Sequence, residues 1–408
     1  MRSPMANMLL IVVSAAVCDG YVMPSRPSVD GFHMVWRAPL RRHRWREQQQ
    51  LLRCVLPAPE VGEDEQLRVV LGQVLLDAGI STEPIAVTEM SAGFCNWVYC
   101  VALPPPAGKV VAKLFSPLAK LRLEPALRGL GDQTAGEAGL GPSLLCRSAD
   151  GLVTTFVDGE TLTEEAMHAA DSKMAERIAP RLAALHATPM PESDCSQVPV
   201  LWRFLDAMLQ HTEDKAIPAS VPLEKVRTEV KRMRKRCADL ALPTVYGHGD
   251  LKPSNVMLRT GPLHPLDEQQ GTGGENDEIC FIDFELSGLH YRGYDLYKLF
   301  RTKRDFSDRN FRAFLEGYCA ALAKDGSSSR PPAVSLTELE AEAYAAEPLT
   351  WLEAAVFFFF ALSVYPTASK AGVWAELGMS RWESYLETAG AIDADGEATR
   401  ALLAARAC

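Results

Sequence analysis

Two short stretches constrain this chain more than anything else in it: VYGHGDLKPSNVML at 245–258 and ICFIDFE at 279–285. Each couples apolar, strand-forming residues to a tight acidic turn. The first carries His248, Asp250 and Asn255 on a loop closed by Pro253. The second ends in Asp283 and Glu285, and Asp283 stands 28 residues after Asn255. A carboxylate, an amide five residues on and a further acid at a strand end suit one task. Asn255 and Asp283 offer hard oxygen ligands for Mg²⁺ on a nucleotide's phosphates. Asp250 is then left to orient and deprotonate a hydroxyl. Either piece alone is common; the two in this order point to phosphoryl transfer.

The elements around these stretches set the fold class. Leu67, Val70, Leu71, Val74 and Leu75 recur at helical spacing and predict a helix over 66–78. Strands are expected at 85–88, 97–103, 109–115 and 151–157, with SAGFCN (Ser91–Asn96) as the turn between the first two. Helices are expected at 121–130 and 134–138, broken at Gly131 and Gly139, then at 164–186, 200–209 and 223–240. A loop running into a strand covers 245–258, and another strand covers 278–284. Between them, 261–277 is a Gly-, Gln- and acid-rich insertion with little apolar content. The last third reads as helix, interrupted by DGSSSRPPAV at 325–334. Strands early and helices late describe an α+β protein with a small sheet lobe over 66–157 and a large helical lobe over 158–400.

Composition narrows the function. A net charge of −10 excludes a general nucleic-acid binder, which needs a basic footprint. The ten cysteines are scattered with no CxxC pair, so they read as reduced, small apolar side chains. Residues 1–53 differ from the rest: eight Arg, no Lys and three acids give +5, leaving −15 for the remainder. The run Met8–Cys18 behind Arg2 has the layout of a secretory signal. The basic segment after it suits an organelle address. The expectation is therefore a leader over 1–53 and a linker over 54–65. The apolar run Ala354–Val364 falls short of the ~20 residues a bilayer span needs and is expected to be a buried core helix. No integral membrane span is expected.

From about 66 to 386 the chain resembles the choline/ethanolamine kinases, within the protein-kinase-like small-molecule phosphotransferases. IDFELSGLHYRGYDLYKLF (282–300) is similar to that family's IDFE…YRG.D block at Ile282, Asp283, Phe284, Glu285, Tyr291, Arg292, Gly293 and Asp295. HGDLKPSN resembles its H-x-D-x-x-x-x-N loop, LAALHATPMP (182–191) its H…MP segment, GLGPSLL (139–145) its LGP-x-L turn and GLVTTFVDGETL (151–162) its hinge strand. The resemblance implies a two-lobed, protein-kinase-like fold with an antiparallel small-lobe sheet, ATP and Mg²⁺ as cofactors, and a small amino-alcohol substrate. It also implies a cytoplasmic enzyme and is compatible with a homodimer; residues 1–53 leave a secretory or organelle destination open.

The resemblance also assigns roles. Asp250 matches the catalytic base, and Asn255 and Asp283 match the metal ligands. His248 is expected to brace the loop rather than move protons. Lys252 departs toward the protein-kinase pattern and is placed to stabilise the transferring phosphoryl. Ser91, Gly93 and Asn96 stand in the phosphate-covering turn. Lys113 stands where a basic side chain meets phosphate, with Glu124 as its expected partner and Glu137 as the rival. Backbone near Thr155 and Val157 should meet adenine. Tyr291, Arg292 and Asp295 are expected to be structural, with Arg292–Asp295 as a buried ion pair.

The acceptor side departs from the family. Leu286 follows Glu285, the late helix carries Phe357–Phe360 and Leu362 where tryptophans are expected, and Arg301 and Thr302 replace an acid. A quaternary ammonium needs aromatic faces, so ethanolamine ranks ahead of choline. Glu285 and Asp295 are the expected hydrogen-bonding acids and Phe359 the wall; Trp351, Trp374 and Trp382 are the other aromatic candidates. Three alternatives remain: an aminoglycoside- or homoserine-type alcohol kinase, an atypical protein kinase, and a non-catalytic nucleotide binder. The protein-kinase reading lacks G-x-G-x-x-G, DFG and APE segments. The intact Asp250, Asn255 and Asp283 set argues against the non-catalytic one.

Overall fold

A computed structural model describes residues 63–90, 95–194, 196–260, 279–302, 308–324, 334–368 and 370–394. The expected leader over 1–53 and the insertion over 261–277 lie outside them, as does most of the linker.

The small lobe starts with α1 (Glu63–Asp77), followed by β1 (Ala86–Met90), β2 (Asn96–Ala102) and β3 (Lys109–Phe115). Two short helices come next, α2 (Pro117–Arg122) and α3 (Leu130–Glu137), then β4 (Leu144–Arg147) and β5 (Gly151–Thr155). The five strands form one antiparallel sheet in the order β1-β2-β3-β5-β4. Val110, Ala112 and Leu114 of β3 share one face and pack with Leu71, Val74 and Leu75 of α1. The two-residue period of the strand then turns Lys113 to the opposite face.

The large lobe holds β6 (Gly159–Thr161), α4 (Glu164–His168), α5 (Met174–His186), α6 (Val200–Gln210), α7 (Leu223–Asp239), β7 (Thr244–Gly247), β8 (Val256–Arg259), β9 (Ile279–Phe281) and β10 (Gly288–Tyr291). The helices α8 (Arg292–Lys298), α9 (Arg309–Lys324), α10 (Leu336–Val364) and α11 (Ala371–Ala394) complete it. Two small antiparallel sheets, β6-β8-β9 and β10-β7, hold the acidic turns. Leu182, Tyr246, Val256, Phe281 and Phe314 pack in one core beneath them. The other core gathers around α10, with Trp202, Trp351 and Phe360 fully buried.

Several local expectations are corrected. The helix expected over 121–130 instead ends at Arg122: Ser116 caps its start, Pro117 occupies its first turn, and Leu123 is extended. Gly131 lies inside α3 rather than breaking it, and the helix expected over 164–186 is divided into α4 and α5. β4, β6 and β10 were not foreseen; each has only three or four residues, too short to show a clear period. The run Ala354–Val364 is the buried end of α10, as expected. That helix is long and apolar enough to cross a membrane by length and composition, but its apolar window is wholly buried in the protein. None of the six described cysteines is in a disulfide.

Candidate active site

Asp250 sits on the turn that leaves β7. Gly249 holds φ at 78°, and a Cβ there would lie 2.3 Å from the Leu286 carbonyl oxygen, so only glycine fits. The turn is clamped from below by Asp295 of α8, which accepts from the backbone N–H of His248 at 2.6 Å and of Gly249 at 2.9 Å. His186 Nε2 donates to the same carboxylate at 3.2 Å, and the Tyr318 hydroxyl lies 2.7 Å from His186 Nδ1. Burial raises the Asp295 carboxyl, but the His186 bond and the nearby imidazoles win and hold it at about 2. Asp295 therefore supports the loop and does not face an acceptor, which corrects its assignment as a substrate ligand. Arg292 is not its partner either: the guanidinium forks onto Glu342 of α10 at 2.7 and 2.6 Å.

His248 is hydrogen-bonded within the turn and to the neighbouring strand end. Its Nε2 lies 3.0 Å from the Ile282 carbonyl, its Nδ1 accepts from the Asp250 N–H at 3.3 Å, and its ring lies 4.7 Å from that of Phe284. Burial lowers its pKa and favours the neutral ring.

Asn255 ends a single 3₁₀ turn begun by Pro253. Its Nδ2 donates to the Asp250 carbonyl at 2.9 Å and to Asp250 Oδ2 at 3.3 Å, so its amide oxygen is the atom that could hold a metal. Its backbone carbonyl accepts from the Ile282 N–H at 3.0 Å, tying the two acidic turns together. Asp283 holds φ at 67°, an uncommon conformation for a residue with a side chain and one that recurs at functional sites. Lys113 Nζ reaches across from β3 to Asp283 Oδ1 at 2.8 Å. Burial lowers the Lys113 pKa, but Asp132 and Asp283 overcome it and hold the ammonium charged.

The partner of Lys113 within the small lobe is Asp132 of α3, at 3.7 Å. Glu124 is exposed and pairs with Arg203 at 3.2 Å, and Glu137 accepts from Gln133 at 2.9 Å. Both expected partners are thus corrected. Asn96 does not line a phosphate-covering turn as a free group: its Nδ2 donates to Glu285. Ser91 and Gly93 lie outside the described residues. The Thr155 hydroxyl accepts from the Ser143 N–H at 3.0 Å, where β5 ends, and Val157 begins the crossing into the large lobe.

Glu285 is likewise spoken for. It accepts from Arg122 Nη2 at 2.6 Å as well as from Asn96, so it joins the lobes instead of waiting for an acceptor. Phe359 is 1% exposed and belongs to the α10 core, against α11. The ring nearer the site is Phe357, 5.4 Å below the Arg122 guanidinium. Trp351 lies between Arg301 and Arg381, with ring centre distances of 5.2 and 5.5 Å. Trp374 and Trp382 are buried in the same core.

Both oxygens of Asp250 are ion-paired. Lys252 Nζ lies 2.8 Å from Oδ2 and Lys298 Nζ lies 3.2 Å from Oδ1. Burial alone would raise this carboxyl; the two lysines reverse that and push it far below the usual carboxylate range. Lys298 also meets Glu353 of α10 at 3.1 Å. Sequence reasoning missed Lys298, Glu353, Arg122 and Asp132. A charged residue within an isolated helical stretch reads as solvent-facing, and nothing local says which of these are buried.

The family model described as choline/ethanolamine kinase matches residues 87–311, more than half of the chain. The chain belongs to that family. The probable ethanolamine kinase of Arabidopsis thaliana is 24% identical over 222 residues, covering 52% of this chain and 54% of the relative. The choline/ethanolamine kinase of Mus musculus is 23% identical over 228 residues, again 52% and 54%. The chain thus spans about half the length of those relatives. Among solved structures, Plasmodium vivax ethanolamine kinase superposes with a TM-score of 0.60 at 16% identity, covering 86% of this chain and 95% of that one. Choline kinase of Cryptosporidium parvum gives 0.56 at 13% identity, covering 81% and 97%. At these identities the superpositions establish the fold, which is the two-lobed α+β architecture expected from the sequence.

Proposed function

We propose that the protein transfers the γ-phosphoryl of ATP to the hydroxyl of ethanolamine or choline. In the family this is the first step of phosphatidylethanolamine and phosphatidylcholine synthesis. One observation carries the reading: Lys113, Asp283, Asn255 and Asp250 converge from three separate segments, which are β3, the loop after β7 and the turn after β9.

The donor set fits Mg²⁺. It is all oxygen, and no group of three His, Cys, Asp or Glu that could hold a metal occurs among the described residues. Asn255 and Asp283 would therefore share the ion with the nucleotide's phosphates, as a reluctantly dehydrated cation prefers. Bound there, it would neutralise charge that develops on the phosphates. Lys113 adds a fixed cation from the small lobe, and Lys252 another beside Asp250. The acceptor oxygen forms its bond to the γ-phosphorus as the bond to the ADP oxygen breaks, and the hydroxyl proton leaves toward Asp250. A carboxylate held by two lysines is a weak base, so its main contribution is to orient the hydroxyl. A loose transition state asks for little more.

The test is ADP release by the chain with Mg-ATP and ethanolamine, choline or no acceptor. Acceptor-stimulated release is expected. Asp250→Ala and Asp283→Ala should each lower turnover by at least ~10³. Near-normal rates in both variants would rule the assignment out.

A further inference from the structure

Lys298 supplies no group to the substrates in the reaction described above, yet it sits against the central residue. Its side chain is 2% exposed. Nζ lies 3.2 Å from Asp250 Oδ1, 3.1 Å from Glu353 Oε2 and 3.2 Å from the Tyr294 hydroxyl, and 5.2 Å from the centre of the Tyr294 ring. An ammonium has three N–H donors, and here each has a partner. Two carboxylates, a hydroxyl and a ring face make an ammonium-binding site, and the chain's own lysine fills it.

The other acids near the cleft are committed. Asp283 holds Lys113, Glu285 holds Arg122 and Asn96, and Asp295 holds the turn beneath Asp250. An amino alcohol whose hydroxyl meets Asp250 carries its nitrogen two carbons away. The carboxylate beyond Asp250 on that side is Glu353.

We propose that Asp250, Glu353 and Tyr294 form the ammonium subsite of the acceptor, and that Lys298 occupies it until an acceptor displaces it. This rests on the amino-alcohol reading above. Lysine suits the role because its charge rides on a flexible four-carbon stem. A tethered ammonium competes at an effective concentration on the order of millimolar, so the acceptor KM is raised. The competition also discriminates. Ethanolamine brings three N–H donors and replaces every bond that Lys298 gives up. Choline brings none and offers only its attraction to the ring. Lys298 is thus a specificity-determining residue that favours a primary over a quaternary ammonium.

The experiment is steady-state ADP release by the full chain with Mg-ATP and titrated ethanolamine. Lys298→Gln should lower the ethanolamine KM roughly tenfold and leave the ATP KM unchanged. Glu353→Gln should raise the ethanolamine KM at least tenfold, about the loss of one charged hydrogen bond. A lysine that merely supports the fold gives the opposite sign, since its loss raises KM or unfolds the protein. An ethanolamine KM that stays or rises in Lys298→Gln overturns the inference. So does an unchanged ethanolamine KM in Glu353→Gln, which decides the matter even if Lys298→Gln does not fold. If neither ethanolamine nor choline stimulates the wild-type chain, the amino-alcohol reading itself falls, and this subsite with it.

Discussion

Lys113 is held by two acids with different futures. Asp283, at 2.8 Å, is the carboxylate a nucleotide-bound metal would claim. Asp132, at 3.7 Å, has no such competitor, and its Oδ2 has no hydrogen-bond partner among the described residues. Were Asp283 to turn to a metal, Asp132 would keep the lysine in place. Asp132→Asn preserves shape and removes the charge. It should raise the ATP KM or lower turnover by about ten- to a hundredfold, and Asp132→Glu should restore part of the loss. Steady-state kinetics with ATP as the varied substrate measures it; an unchanged ATP dependence would remove Asp132 from the site. The lysine itself was legible through the family resemblance, which puts a phosphate-binding basic side chain on the third strand. Its partner was not. The resemblance offered Glu124, on a helix expected over 121–130, whereas the helix stops at Arg122 and the acid arrives with the next one.

At the scale of elements, α8 and α10 meet so closely that one position tolerates no side chain. A Cβ on Gly293 would lie 2.1 Å from the Glu342 carbonyl oxygen, which is backbone and cannot swing aside. The approach lets Arg292 fork onto Glu342, and it lines Lys298 and Tyr297 up against Glu353 and Glu347. Gly293→Ala must push the helices apart. A loss of about 1–3 kcal/mol is expected from overpacking alone, read from urea denaturation. Acceptor turnover should fall with it, because Asp295 moves beneath the Asp250 turn; a variant of wild-type stability would contradict the packing described here. The Arg292–Asp295 pair expected from sequence fails for a related reason. Both residues lie on one helix, but Asp295 turns to the backbone behind Asp250 while Arg292 finds an acid 50 residues later. The motif showed that this helix matters. Which carboxylate each charge meets depends on how helices cross, and local periodicity carries no record of that.

Across the whole molecule, the two lobes are joined through charge. Lys113 reaches Asp283, while Arg122 and Asn96 converge on Glu285. The acidic turns that receive these contacts stand on the Asp295 clamp, which makes acid a specific threat to the site. Asp295 is buried with its carboxyl held at about 2, below the unperturbed 3.8. Its stabilisation is complete above pH 3.8 and is lost as pH falls toward 2. By linkage it is worth roughly 2 kcal/mol. His248 and His290 act earlier with the same sign. Burial holds both below 6.5, so the unfolded chain binds protons that the folded chain refuses as pH drops through that value. Stability should therefore be flat between about pH 7 and 8, decline gently below 6.5 and steepen below 4. Denaturation midpoints at a series of pH values would trace these two limbs. Asp295→Asn should lower stability at neutral pH and flatten the steep limb while the gentle one remains. An unaltered acid limb in that variant would mean that other carboxylates, not the clamp beneath Asp250, set the acid sensitivity of the fold.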